Sequence, residues 1–159
     1  MKLANFDFRI WDKGEETLTY ASKDWKLGIG FSNPQQDNWE VESVLHAYYD
    51  GEPQCPDDCE MELWSGFCDK NNKRIYENDI ILDSQRHKYV VSICDESKNW
   101  VLLELDLKPC CSLIEILQEG YVEVIGNIHE NTELLIEKGV IDKQWLQECL
   151  KSVETDSDR

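Results

Sequence analysis

Positive charge is what this chain is short of: 16 lysines and arginines stand against 33 aspartates and glutamates, a formal charge of -17 over 159 residues. A protein that grips nucleic acid through its phosphates needs a basic footprint, so this composition argues against direct DNA or RNA binding. Long apolar runs are missing as well. None approaches the roughly 18 residues of a membrane-spanning helix, and a stretch as short as Trp100 to Leu103 is among the longest. The opening residues, Met1 to Asp7, hold no apolar segment long enough for a secretory leader. Cysteines number seven, an odd count that does not close into a disulfide framework. A reducing, cytoplasmic setting with no membrane contact is the expectation.

Complete catalytic and metal-binding motifs are also absent. Cys55, Cys59 and Cys68, with His46 or His87, are ligands of the type zinc takes, but Cys-x3-Cys occurs once and Cys110 and Cys111 are adjacent. Ordinary thiols are the simpler reading, with no metal and no cofactor. The three histidines form no His-x-x-x-His pair and stand in no recognised nucleophile context. Gly28-Ile29-Gly30 lacks the third glycine or lysine of a phosphate loop and reads as strand punctuation. Asp69, Glu77 and Asp79 cluster around one turn, where carboxylates can do acid and base work or hold a hard cation. The competing reading is structural: Asp69 opens the turn and Asp79 accepts backbone N–H groups at a corner. No residue is assigned a catalytic role, and the chain is read as a protein other than an enzyme.

What is present is a strongly patterned centre. Met61 to Phe67 and Arg74 to Leu82 are strand-like and flank Asp69-Lys70-Asn71-Asn72-Lys73, where asparagine tolerates the positive φ of a tight turn. Glu77-Asn78-Asp79 then redirects the chain into Ile80-Ile81-Leu82. Short strands with sharp corners indicate a small barrel. Before this centre, Phe6, Phe8 and Ile10 alternate with polar neighbours, Asp12-Lys13-Gly14 supplies a turn, Leu18 and Tyr20 return, and Trp25, Leu27, Ile29 and Phe31 alternate again. Val41, Val44, Leu45 and Tyr48 stand at helical spacing, with Asp37 or Asn38 as cap and Gly51 as stop, which predicts an amphipathic helix.

After the centre, His87 to Glu96 and Asn99 to Asp106 read as two strands. Ser112 and Glu115 form a capping box for a short helix ended by Gly120, and Tyr121 to Ile128 is a strand with a bulge at Gly126-Asn127. Asn131 or Thr132 caps a further helical turn. Asp142 to Val153 is predicted as a closing helix before a frayed polar tail, Glu154 to Arg159. A chain of this length buries roughly 70% of its unfolded surface, enough for one core and a small satellite.

Three blocks, Phe8-Arg9-Ile10-Trp11-Asp12, the Ser65 to Ile81 centre and Val124-Ile125-Gly126-Asn127-Ile128-His129-Glu130-Asn131, occur in an order that resembles the YopX family of phage and prophage proteins. Asn72 and Asn78 stand where that family's pattern has glycine. The resemblance implies a small, mostly β, SH3-like barrel roll at the centre. With the helices read from the residues, the expected fold is α+β, mostly β, with a YopX-like domain over 1–135, its barrel core at about 60–107 and short flanking helices, and a C-terminal helical extension over 136–159 that is less typical of the family. It implies a phage-borne gene, and with that a bacterial host cytoplasm. No family activity transfers.

Charge distribution is the remaining signal. Between Lys26 and Lys70 stand ten acids and no lysine or arginine, interleaved with Phe31, Trp39, Tyr48, Tyr49, Trp64 and Phe67. Such a surface either serves solubility or attracts a basic partner around aromatic anchors. Glu60 and Glu62, and likewise Glu104 and Asp106, would project from one strand face about 7 Å apart, near the spacing of successive phosphates. Glu40, Glu42, Asp57, Asp58, Glu60, Glu62, Trp64, Glu104 and Asp106 are therefore the expected partner-binding residues. The leading functional expectation is inhibition of a basic, nucleic-acid-binding host defence protein, with nucleic-acid mimicry as a candidate route; the alternative is a homo-oligomer that assembles in phage replication or packaging.

Overall fold

Large apolar residues alternate with other residues in some strands, as over Thr17–Tyr20, and stand in adjacent pairs in others, as over Asp79–Leu82 and Lys88–Ile93. The computed structural model describes residues 6–24, 26–32, 44–54, 58–94, 97–104 and 109–135. Within these it is mostly β, with twelve strands, one α-helix and one 3-10 turn. The chain divides into two compact units, Met1–Trp64 and Ser65–Arg159, each described by itself below.

In the first unit, β1 (Phe8–Asp12) pairs antiparallel with β2 (Thr17–Tyr20) on one side and with the start of β6 (Cys59–Cys68) on the other. Phe8 and Ile10 enter a core with Leu27 and Ala47, against which Ala21, Cys59, Met61 and Leu63 pack. A separate sheet runs β3-β4-β5, built from β3 (Leu27–Ser32), β4 (Val44–Tyr49) and β5 (Glu52–Pro53). The expected helix over 38–51 is overturned where it is described: Val44 to Tyr49 is a strand, paired with β3 from Leu27↔Tyr49 to Ser32↔Val44. The apolar spacing fits either period over so short a stretch, and β-branched and aromatic residues favour the pleated form. Gly51 is no helix stop. Asp50 and Gly51 both have positive φ, 53° and 88°, in a two-residue turn that joins Tyr49 to Glu52, the arrangement an Asp-Gly pair supports.

In the second unit, β7 (Arg74–Tyr76) neighbours β6, and five strands form a sheet in the order β11-β10-β9-β8-β12. These are β8 (Asp79–Leu82), β9 (Lys88–Ile93), β10 (Trp100–Leu103), β11 (Pro109–Ser112) and β12 (Glu123–Asn127). Ile80, Val90 and Leu103 are register partners across three strands and join one buried cluster with Ile128 and Leu135. Their chain neighbours Ile81, Val91 and Leu102 point the other way, into a second cluster with Ile75, Tyr89, Leu113, Val122 and Val124. Because successive strand residues face opposite sides, paired apolar residues signal a sheet covered on both faces.

The turns hold as read. Asn72 and Asn78 both have φ 63°, the left-handed conformation that asparagine tolerates among non-glycine residues. Helix α1 (Leu113–Glu119) has both capping-box bonds, Ser112 Oγ to the Ile114 amide and Glu115 Oε2 to the Ser112 amide. A 3-10 turn, Thr132–Leu134, follows Asn131. The predicted C-terminal helix and tail, and the first part of the expected 38–51 helix, lie outside the described residues.

A bulge interrupts the β8–β12 ladder, where Val124 pairs with Ile81 and Gly126 with Ile80, leaving Ile125 unmatched. Crowding is what requires glycine here: a Cβ on Gly126 would sit 2.6 Å from Asn131 Oδ1 and 2.8 Å from both Asn131 Cβ and Leu134 Cδ1. Gly126→Val is expected to lower unfolding free energy by roughly 1–3 kcal/mol in urea titration; an unchanged midpoint would contradict this close packing.

Candidate functional site

Carboxylates in the middle of the chain bond their own backbone. Asp69 Oδ1 accepts the amides of Asn71 and Lys73, both at 2.8 Å, and Oδ2 accepts that of Val124 at 3.1 Å. Asp79 Oδ2 accepts the Tyr76 amide at 2.8 Å, which closes the corner before β8. Asp83 repeats the device: Oδ1 takes the Gln85 and His87 amides, and Oδ2 faces His87 Nδ1 at 3.2 Å and the Tyr89 hydroxyl at 3.4 Å. Burial pushes the Asp83 carboxyl up, but the bonds from His87 and Gln85 outweigh it and hold the group below the usual aspartate value. Asp69 and Asp79 are thus used as turn-builders, the structural reading of that cluster. Among the described residues no three His, Cys, Asp or Glu side chains gather as a metal-ligand set. Cys68 is a free thiol, Cys59 packs against the core of the first unit, and Cys55 lies outside the described residues.

The expected partner-binding acids divide sharply. Glu62 is 1% exposed and forms an ion pair, Glu62 Oε2 with Arg9 Nε, in the interior of the first unit. It cannot stand in a surface row of phosphate-like charges, which corrects the expectation for the Glu60 and Glu62 pair. The register explains why: Arg9 lies opposite Tyr20 on β2 and opposite Glu62 on β6, so the three share one face, and Arg9 also lies 5.8 Å from the Tyr20 ring centroid. Glu60, two residues earlier, is half-buried and bonded to Lys13 Nζ at 3.0 Å. Trp64 is half-buried, while Asp58 and Glu104 are exposed. Glu40, Glu42, Asp57 and Asp106 lie outside the described residues.

A cleft of about 230 Å³ opens on the other face of the same ladder, lined by Ile10, Asp12, Thr17, Thr19, Leu27, Tyr49 and their neighbours Glu15, Gln54 and Cys59. Ile10 and Leu27 are buried, whereas Glu15 and Thr17 are exposed and Tyr49 is 40% exposed. The Asp12 carboxylate is positioned by its turn, with Oδ1 accepting the Gly14 and Glu15 amides at 2.8 Å. An apolar base under two carboxylates, two hydroxyls and an aromatic edge suits a ligand with an aliphatic stem and a cationic head. Reading the sequence missed this cleft, because Asp12-Lys13-Gly14-Glu15 announces only a turn and Tyr49 joins it through β4, a segment read there as helix.

Comparison with known proteins places these features in context. The family model described as YopX protein matches residues 7–136. In three dimensions the chain is similar to a crystal structure of protein EF1440 from Enterococcus faecalis, at a TM-score of 0.51 and 22% identity, over 82% of this chain and 98% of that one. That likeness concerns the fold. Among curated proteins none matches the chain.

Removing one member of the Arg9–Glu62 pair strands a buried charge. Glu62→Ala is expected to lose about 3–5 kcal/mol of stability in chemical denaturation, while Arg9→Met combined with Glu62→Leu recovers most of it. A Glu62→Ala protein as stable as the parent would contradict the buried pairing.

Proposed function

The chain belongs to the YopX family, and we propose that it is a non-catalytic, phage-borne acidic binding protein that captures a basic protein of the bacterial host. The captured protein is one that itself binds nucleic acid, and the complex forms in the host cytoplasm by competing for that partner's basic surface. The observation that carries this reading is the acid-rimmed cleft of the first unit, with Asp12 and Glu15 above Ile10 and Leu27. A lysine or arginine side chain packs its methylenes on such a base and directs its charge to the carboxylates. The formal charge of -17 and the run of acids without lysine or arginine between Lys26 and Lys70 add long-range attraction for the same kind of partner. Mimicry of a phosphate row by Glu60 and Glu62 is not part of this proposal, since Glu62 is interior. Asp58 and Glu104 are retained as exposed contacts, with Trp64 as a half-buried aromatic.

The SH3-like roll belongs to the same reading. It is supported by the antiparallel β11-β10-β9-β8-β12 sheet and by the left-handed corner at Asn78. A second reading, homo-oligomeric assembly, is favoured by β3, an edge strand of its sheet that carries Ile29 at 38% exposure.

The test uses a fluorescent arginine-rich peptide, with anisotropy read at low and moderate salt, and capture of basic proteins from a bacterial lysate in the presence or absence of duplex DNA. Asp12→Asn with Glu15→Lys preserves the turn acceptor and reverses the rim, and is expected to weaken peptide binding about threefold to tenfold. Added salt should weaken the parent complex, and DNA should displace the captured protein. Binding that ignores both salt and the double substitution would overturn the cleft reading. Salt-insensitive self-association in light scattering would favour assembly instead.

A further inference from the structure

Two neighbouring cysteines on an ordinary strand cannot meet, because successive side chains leave opposite faces of the sheet. In β11 they do meet. Val101 pairs with Ser112 and Leu102 with Cys111, but Leu103 pairs with Pro109, so Cys110 is an extra residue accommodated as a bulge. A bulge re-aims side chains, and here Cys110 Sγ and Cys111 Sγ lie 3.3 Å apart as free thiols. Cys110 Sγ also donates to the Leu102 carbonyl at 3.3 Å. Cys110 is exposed, whereas Cys111 is half-buried and packs against the cluster that contains Leu102 and Leu113. One thiol of the pair is open to solvent and the other is anchored.

We propose that Cys110 and Cys111 form a dithiol site for a trivalent, pyramidal thiophilic acceptor, with arsenic(III) compounds as the chemical class. Geometry selects this class. A linear two-coordinate ion needs its sulfurs on opposite sides, which adjacent thiols in contact cannot provide. Tetrahedral zinc needs four ligands, and among the described residues no further His, Cys, Asp or Glu completes a set here. A pyramidal arsenic accepts two sulfurs on the same side and keeps its third substituent toward solvent, above the exposed Cys110. With a monosubstituted arsine oxide the reaction balances without an oxidant: two As–S bonds form, two S–H bonds break, and the oxygen leaves with both protons as water. Arsenic stays trivalent throughout. Burial, with the Cys110 hydrogen bond next, pushes the Cys111 thiol up to about 12, so Cys111 reacts second, after Cys110 has made the first bond and brought the arsenic beside it.

Phenylarsine oxide is the probe, added to the full chain with excess glutathione and followed by mass spectrometry of the intact protein and of its peptides. The expected result is one phenylarsenic group per chain, mapped to the peptide that holds Cys110 and Cys111, resistant to glutathione and removed by a competing dithiol. Cys110→Ser is expected to lower retained arsenic at least tenfold, and because Cys110 is exposed this variant keeps the fold; Cys59→Ser with Cys68→Ser is expected to retain the label. The proposal is overturned if Cys110→Ser retains the adduct, if glutathione strips it from the parent, or if the label maps to other cysteines.

Discussion

The carboxylate of Asp69 is the constraint on which the second unit depends. Its two oxygens take amides from Asn71 and Lys73 in the turn after β6, and from Val124 on β12, 55 residues along the chain. A local hairpin is thereby fastened to a distant strand. Lys70 adds a backbone bond to the Val122 carbonyl and an ion pair with Glu123 at 2.6 Å, beside the same attachment. The bond to Lys70 holds the Glu123 carboxyl below its ordinary value, although solvent screens a pair at the surface. At the next corner the Asn78 amide donates to the Val91 carbonyl and the Asn78 carbonyl accepts from Ile128. Two left-handed asparagines and two buried aspartates therefore determine where β7, β8, β9 and β12 run, and the apolar rows of Ile80, Val90 and Leu103 follow from that registration.

The acids of this protein consequently fall into two groups with different physics. Asp69, Asp79, Asp83 and Glu62 are buried and bonded to amides or to arginine, so they contribute to the fold. Burying a carboxylate is tolerable only when its lone pairs are satisfied, and in the three aspartates nearby backbone amides do so, joined at Asp69 by the Val124 amide of β12 and at Asp83 by the His87 ring and the Tyr89 hydroxyl. Glu15, Asp58 and Glu104 are exposed, and such charges act on association, through steering and rim contacts. A net charge of this size is thus a mixture, and only its outer part is available for the proposed contact with a partner.

Much of the second unit was legible in the sequence because its signals are local. Asn72 and Asn78 announce positive φ by residue type, Ser112 and Glu115 announce a cap by spacing, and the register slip, at Ile125, falls one residue before the bulge expected at Gly126-Asn127. The first unit was less legible for two physical reasons. Val44, Leu45 and Tyr48 fit both periods, and the Asp50-Gly51 turn, the deciding local signal, was taken for the end of a helix. The place of Glu62 is hidden because alternation ordinarily marks one buried and one wet face, whereas Arg9 within Phe8-Arg9-Ile10-Trp11 calls for a buried partner on a neighbouring strand. The cleft at Asp12 and the contact between Cys110 and Cys111 arise from cross-strand register and from a bulge, which no spacing rule displays.

Equilibrium urea unfolding of Asp69→Asn tests the central claim most directly. An amide supplies one oxygen where the carboxylate supplies two, so either the turn amides or the Val124 amide would face an NH₂ group and lose its acceptor. The account predicts a loss of about 1–3 kcal/mol, the cost of leaving a buried donor unsatisfied. A midpoint equal to that of the parent protein would contradict it.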